Sequence, residues 1–216
     1  MALQITKKEL IHAQLALVTA IILQVIVLWV TNSLSIGPQY LLIATELGMA
    51  VLLLSSLNVH NPSSKNLQKM TAGSLLGFIS FANIGTLLFV LYALIIDHAV
   101  VSGAELLASA IAIFLTNIIV YALWYWEIDS PGLTSKRWSK HDKDFQFTQQ
   151  DMKDEFPRWR PEFIDYLYLS ITNAVNFAPA DTKPLTRAAK LLMASQALVS
   201  VFTIALVIAR SVSVLG

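Results

Sequence analysis

Five stretches of this chain are almost free of charge and each is long enough to cross a bilayer as a helix. They run from Ile11 to about Thr31, Tyr40 to Leu57, Met70 to Ile96, Ala104 to Trp126 and about Ala188 to Leu215. About 20 apolar residues in helical form span the roughly 30 Å hydrocarbon core. Hydrophobic residues make up 56% of the chain and charged ones 13%, against about 25% charged in ordinary soluble domains. With a mean hydropathy of +0.62, a soluble fold of 216 residues could not hide this much apolar surface. The chain therefore reads as a polytopic, all-α membrane protein.

The first run is longer than the apolar part of a secretory signal and no A-x-A cleavage site follows it, so it reads as a span. Gly37-Pro38 marks a turn before the second span. Gly73, Gly77 and Gly85 lie four and eight residues apart in the third, a small-residue face suited to close helix packing. Trp124-Tyr125-Trp126 ends the fourth as an interfacial aromatic belt. Residues 1–126 thus form a four-helix region. Residues 127–160 form a basic loop, too poor in aliphatic residues for a core of their own, and expected to hold an interfacial amphipathic piece.

Basic residues set the orientation. Lys7, Lys8, Lys65, Lys69, Lys136, Arg137, Lys140, Lys143, Lys153, Arg158 and Arg160 all fall in alternate connections, and Asn32–Gln39 and Asp97–Gly103 hold none. The positive-inside rule then places the N-terminus and the long loop in the cytoplasm. The net charge of +1 gives no reason to expect nucleic acid.

Residues 161–216 hold a shorter apolar segment and the last span. From Pro161 an apolar, aromatic segment of about 15 residues rises toward Asn173 and Asn176, breaks at Ala178-Pro179-Ala180 and returns through Asp181-Thr182-Lys183-Pro184. Fifteen helical residues reach roughly 22 Å, short of a full crossing. The segment reads as a re-entrant half-helix before the fifth span. The rival reading makes Pro161–Thr182 a sixth span, which buries Asp165 and strands Lys183, Arg187 and Lys190 outside.

Two resemblances follow. The run from Tyr121 to Asp129, the segment Asp165-Tyr166-Leu167-Tyr168-Leu169-Ser170, then Asp181-Thr182, Pro184-Leu185-Thr186-Arg187 and a helix ending in Ala-Arg resemble a widespread bacterial family of integral membrane proteins known only as a domain of unknown function. That resemblance implies the bacterial inner membrane and no assigned activity. Locally, a helix, a turn, then Asp181, Pro184 and Thr186 before a long apolar helix is similar to the pore loop and inner helix of tetrameric potassium channels. A half-helix ending near the midplane would turn its negative end toward a cation. The filter positions read Asn176-Phe177-Ala178-Pro179-Ala180, without the glycines a carbonyl-lined filter needs, so potassium selectivity is not expected. Channel pore loops also enter from outside, whereas the charge count puts this one inside.

Thr172, Asn173, Asn176 and Asp181 are the candidate pore-lining residues. Glu46, a carboxylate within a span, is the candidate protonation site. Gln14, Gln24, Asn83, Asn117 and Gln196 read as interhelical hydrogen-bonding groups. Glu162 and Asp165 suit the first turn of the half-helix, with a cation-attracting mouth as their alternative. Asp181 or Thr182 suits the cap of the last helix, with Pro184 in its first turn. No histidine is spaced as a metal ligand, the chain has no cysteine, and no catalytic motif is present. The expectation is no enzyme, no cofactor and no metal. Two functions stay open: a cation or proton pathway, formed by a homo-oligomer, and a non-catalytic membrane component that docks a partner or anionic lipid.

Overall fold

The structure, a computed structural model, describes residues 7–30, 47–48, 51, 62–95, 103–129, 143–176 and 181–215. Glu46, the turn at Gly37-Pro38, the break at Ala178-Pro179-Ala180 and most of the second apolar run lie outside them. The described chain is mostly helical: α1 (Lys7–Val30), α2 (Pro62–Ile95), α3 (Gly103–Asp129), β1 (Phe145–Phe147), α4 (Thr148–Asp151), α5 (Phe163–Asn176), β2 (Thr182–Pro184) and α6 (Arg187–Leu215). Among the described residues, three helices are long and apolar enough to cross a membrane: Met70–Tyr92 in α2, Ala104–Asp129 in α3 and Arg187–Ile208 in α6. A shorter apolar stretch, Ile11–Val27, lies in α1.

The bundle is built around α3. Two thirds of its apolar stretch (67%) is buried, against 33% in α2 and α6, because α1, α2, α5 and α6 all pack on it. In α1 the inward face is Ala13, Leu17, Ala20, Ile21, Gln24 and Val27, at helical spacing. The opposite face is just as apolar: Ile11, Leu15, Val18, Ile22 and Trp29 are exposed. Phe81 and Leu88 in α2 and Leu191 and Leu198 in α6 repeat this. Helices apolar on both faces suit lipid outside and protein inside.

Side chains at the interfaces stitch the helices together. Gln24 Nε2 donates to the Ile79 carbonyl at 3.1 Å, Asn83 Nδ2 to that of Ile113 at 3.4 Å, and Trp124 Nε1 to Ser80 Oγ at 3.0 Å. The expected close packing at glycine is not seen at two of the three positions. A Cβ added at Gly77 or Gly85 meets nothing within 4 Å. Alanines take that role, with Ala13, Ala20, Ala72 and Ala122 fully buried in one core cluster. Gly77→Ala and Gly85→Ala should therefore raise stability by up to about 1 kcal/mol each through helix propensity. Unfolding in mixed micelles measures this; a clear loss of stability would show that these glycines meet a second copy of the chain.

Residues 143–160 carry more regular structure than the composition of the polar segment suggests. α3 continues past Trp126 to Asp129, and Glu127 and Asp129 are buried. β1 then pairs antiparallel with β2, with Phe145 opposite Pro184, Gln146 opposite Lys183 and Phe147 opposite Thr182. Phe145 and Phe147 point inward, so this two-stranded ribbon closes one end of the bundle. Phe145 lies 5.2 Å from the Tyr125 ring, and Phe147 lies 5.4 Å from Tyr166 and 5.6 Å from Trp159. The ribbon also corrects the expected cap of the last helix. Pairing holds 182–184 extended, so neither Asp181 nor Thr182 caps α6 and Pro184 is not in its first turn. Thr186 caps it instead: Ala189 N donates to its Oγ1 at 3.2 Å.

Candidate functional site

Polar groups concentrate in two places around α3. One is internal. On α6, Gln196 is fully buried between α3 and α5. Its Oε1 accepts from Tyr125 OH at 2.5 Å and from Asn173 Nδ2 at 2.8 Å. Its Nε2 donates to Ser170 Oγ at 2.6 Å and to the Ser170 carbonyl at 3.0 Å. Ser170 Oγ donates in turn to the Ile118 carbonyl at 2.6 Å. Asn173 Nδ2 also lies 3.0 Å from the Met193 carbonyl and 3.3 Å from Tyr125 OH. One turn further along α6, Asn117 Nδ2 donates to Ser200 Oγ at 3.0 Å, and next to Gln196 Tyr121 OH donates to Ser195 Oγ at 2.8 Å. Asn117 Oδ1 and Thr116 Oγ1 are buried with no hydrogen-bond partner among the described residues.

The second cluster is at the ribbon. Asp129, the last residue of α3, accepts at Oδ1 from Asp144 N at 2.5 Å and Phe145 N at 3.0 Å, and at Oδ2 from Tyr166 OH at 2.7 Å. Thr186 Oγ1 donates to the Asp144 carboxylate, and Leu185 N donates to the Asp144 carbonyl at 2.8 Å. The end of α3, the start of α5, both strands and the cap of α6 are therefore tied at one point. Arg160 approaches Glu9 of α1 at 3.8 Å, which brings the start of α1 to the same end.

The candidate lining residues do not share one surface. Asn173 is buried in the internal network. Thr172 Oγ1 donates to the Tyr168 and Leu169 carbonyls of its own helix, at 3.0 Å each. Asn176 is exposed at the last position of α5. Asp181 is part-buried, and its carbonyl accepts from Thr148 N at 3.1 Å and Thr148 Oγ1 at 2.8 Å. Glu46 lies outside the described residues. In the first turn of α5, Asp165 Oδ2 accepts from Glu162 N at 2.7 Å, an N-terminal capping bond. Burial raises the Asp165 pKa above the usual carboxylate value; the Glu162 amide opposes this, and Glu162, Asp181 and Glu9 add repulsion. Four acids thus gather at the mouth of α5. No group of three or more metal-ligating side chains is found among the described residues.

The Asp129 clasp is not legible in the sequence, because its partners are backbone amides 15 and 16 residues away and a tyrosine 37 residues away. The one hint is an acid closing an apolar run. The chain finds no match among protein-family models, curated proteins or solved structures.

Proposed function

We propose that this protein is a multi-pass membrane protein in which α5 is a re-entrant half-helix docked as a dry strut, and that it serves as a non-catalytic membrane component. The observation that carries this reading is Asn173. This buried side chain of α5 directs its Nδ2 to Tyr125, Met193 and Gln196, which holds it in the contact with α3 and α6. The exposed face of α5, with Ile164, Tyr168, Ile171 and Val175, is apolar and suits lipid better than a hydrated path.

Re-entry is supported by the two ends of the segment. α5 begins with Tyr166 on Asp129. Beyond it, Asp181 and Thr182 pair with Thr148 and Phe147, whose ring lies against Tyr166. Fourteen residues of helix cover roughly 21 Å, less than the hydrocarbon thickness. The described bases Lys143, Lys153, Arg158, Arg160, Lys183, Arg187 and Lys190 flank this same end, which we assign to the cytoplasm of a bacterial inner membrane. The chain has no cysteine, so single cysteines at Glu162 and Lys183 test the topology directly. An impermeant maleimide should label both from the same side; labelling from opposite sides replaces the half-helix by a sixth span.

A second reading, a cation or proton pathway through a homo-oligomer, draws on the acids around Asp165 and the exposed Asn176. Vesicles holding the purified protein should show no Na⁺, K⁺ or H⁺ flux above empty vesicles if the strut reading holds. Flux that Asn176→Leu abolishes would establish the pathway instead.

A further inference from the structure

The cytoplasmic end of α6 joins two features that the strut reading leaves unused. The first is a group of exposed bases. Lys183 on β2 and Arg187 and Lys190 in the first turn of α6 are all exposed, and none forms an ion pair with a described acid. The strand register brings β1 beside them: Gln146 lies opposite Lys183, and Asp144 is bonded to Leu185. Exposed Lys143, whose Nζ lies 3.4 Å from Gln146 Oε1, is thereby carried toward the start of α6. Of the acids around Asp165, Glu162 lies at the start of α5 and Glu9 on α1, while Asp181 stands two residues before Lys183; the Asp144 carboxylate beside the patch is engaged by Thr186.

The second feature lies directly below. From Leu191 the exposed positions of α6 continue through Leu198, Val201, Phe202 and Ile208. At helical spacing these fall on the face that carries Arg187 and Lys190. The apolar stretch of α6 begins at Arg187 itself, so the bases mark the level where hydrocarbon gives way to headgroups. A cationic head above a continuous apolar stripe is complementary to one kind of molecule, in which an anionic group is joined to long acyl chains.

We propose that this face of α6 binds an anionic phospholipid, its phosphate held by Lys183, Arg187 and Lys190 with help from Lys143, and its acyl chains lying along Leu191 to Ile208. The proposal rests on the membrane reading and not on re-entry of α5. It names lipid as the occupant because the charged patch and the apolar stripe are contiguous on one helix. A soluble phosphate would use only the first.

The test measures the melting temperature of the full chain in a neutral detergent, with phosphatidylglycerol or phosphatidylcholine added. Phosphatidylglycerol should raise it by about 5 °C and phosphatidylcholine by much less. Each base beside an anionic headgroup strengthens binding about fivefold, so Lys183→Gln, Arg187→Gln and Lys190→Gln together should weaken it about a hundredfold and remove the shift. The arginine variants of both lysines should keep it. If the triple variant does not fold, the wild-type shift should vanish in 1 M salt. The proposal is overturned by equal shifts from the two lipids, by the same shift from inorganic phosphate alone, by a shift that survives the triple variant or high salt, or by a dimer that dissociates when the bases are removed. Release of the protein from membranes by alkaline carbonate would instead remove the membrane reading itself.

Discussion

Replacing Gln196 by leucine should destabilise the protein by about 2 kcal/mol or more, the largest effect expected of any single change in the internal network. The substitution keeps the volume close, so the cost is not a cavity. It comes from stranded partners. Tyr125 OH and Asn173 Nδ2 lose a shared acceptor, and Ser170 loses the amide that bonds both its Oγ and its carbonyl. All three residues are buried, so bulk water does not replace what is lost. Interhelical hydrogen bonds in membrane proteins average only about 0.6 kcal/mol, and one such bond alone would be a minor matter. Here four converge on one side chain that joins three helices. Asn173→Leu should cost less, and the double variant should cost less than the sum of the singles, because each change has already emptied the same network. Unfolding in mixed micelles gives these values. A loss below about 0.5 kcal/mol for Gln196→Leu would mean that the partners find one another without it.

Asp129→Ala should cost about 3 kcal/mol and loosen the end of the bundle. Three buried donors depend on that carboxylate: the amides of Asp144 and Phe145 and the hydroxyl of Tyr166. Without it, two backbone N–H groups remain buried with no acceptor, a rare and costly condition. Asp129→Asn retains one oxygen and should cost less. Tyr166→Phe removes a single bond and should cost least, about 1 kcal/mol. Hydrogen exchange supplies an independent readout: the Asp144 and Phe145 amides should lose protection in Asp129→Ala while amides in the middle of α2 keep theirs. Retained protection would show that the pairing of β1 with β2 holds the ribbon without the carboxylate.

The two variants also separate the parts of the molecule. Gln196→Leu acts between helices inside the bundle, whereas Asp129→Ala acts where the polar segment is fastened to it. The change at Asp129 should expose Phe147 of β1 and Trp159, which packs against it, and increase proteolysis between α4 and α5. The change at Gln196 should not.

The apolar runs of α2, α3 and α6 were readable from residue type alone, since a helix long enough to cross lipid must be apolar along its whole length. α5 was also readable, as a short apolar segment bounded by Pro161 and Pro179. The amides expected to join helices do so at Gln24, Asn83, Asn117 and Gln196, because a polar group in such a helix must find a partner. What the tertiary structure alone decided was which groups meet. Asn173 resembled a lining residue in sequence, yet folding turns it onto Gln196. Phe145 and Phe147 resembled parts of a polar loop, yet they close the core. Composition and length act within one segment and leave their mark locally. Hydrogen bonds such as those of Asp129 to Phe145 and Tyr166 join residues far apart along the chain, and no local pattern encodes which distant donor a carboxylate will meet.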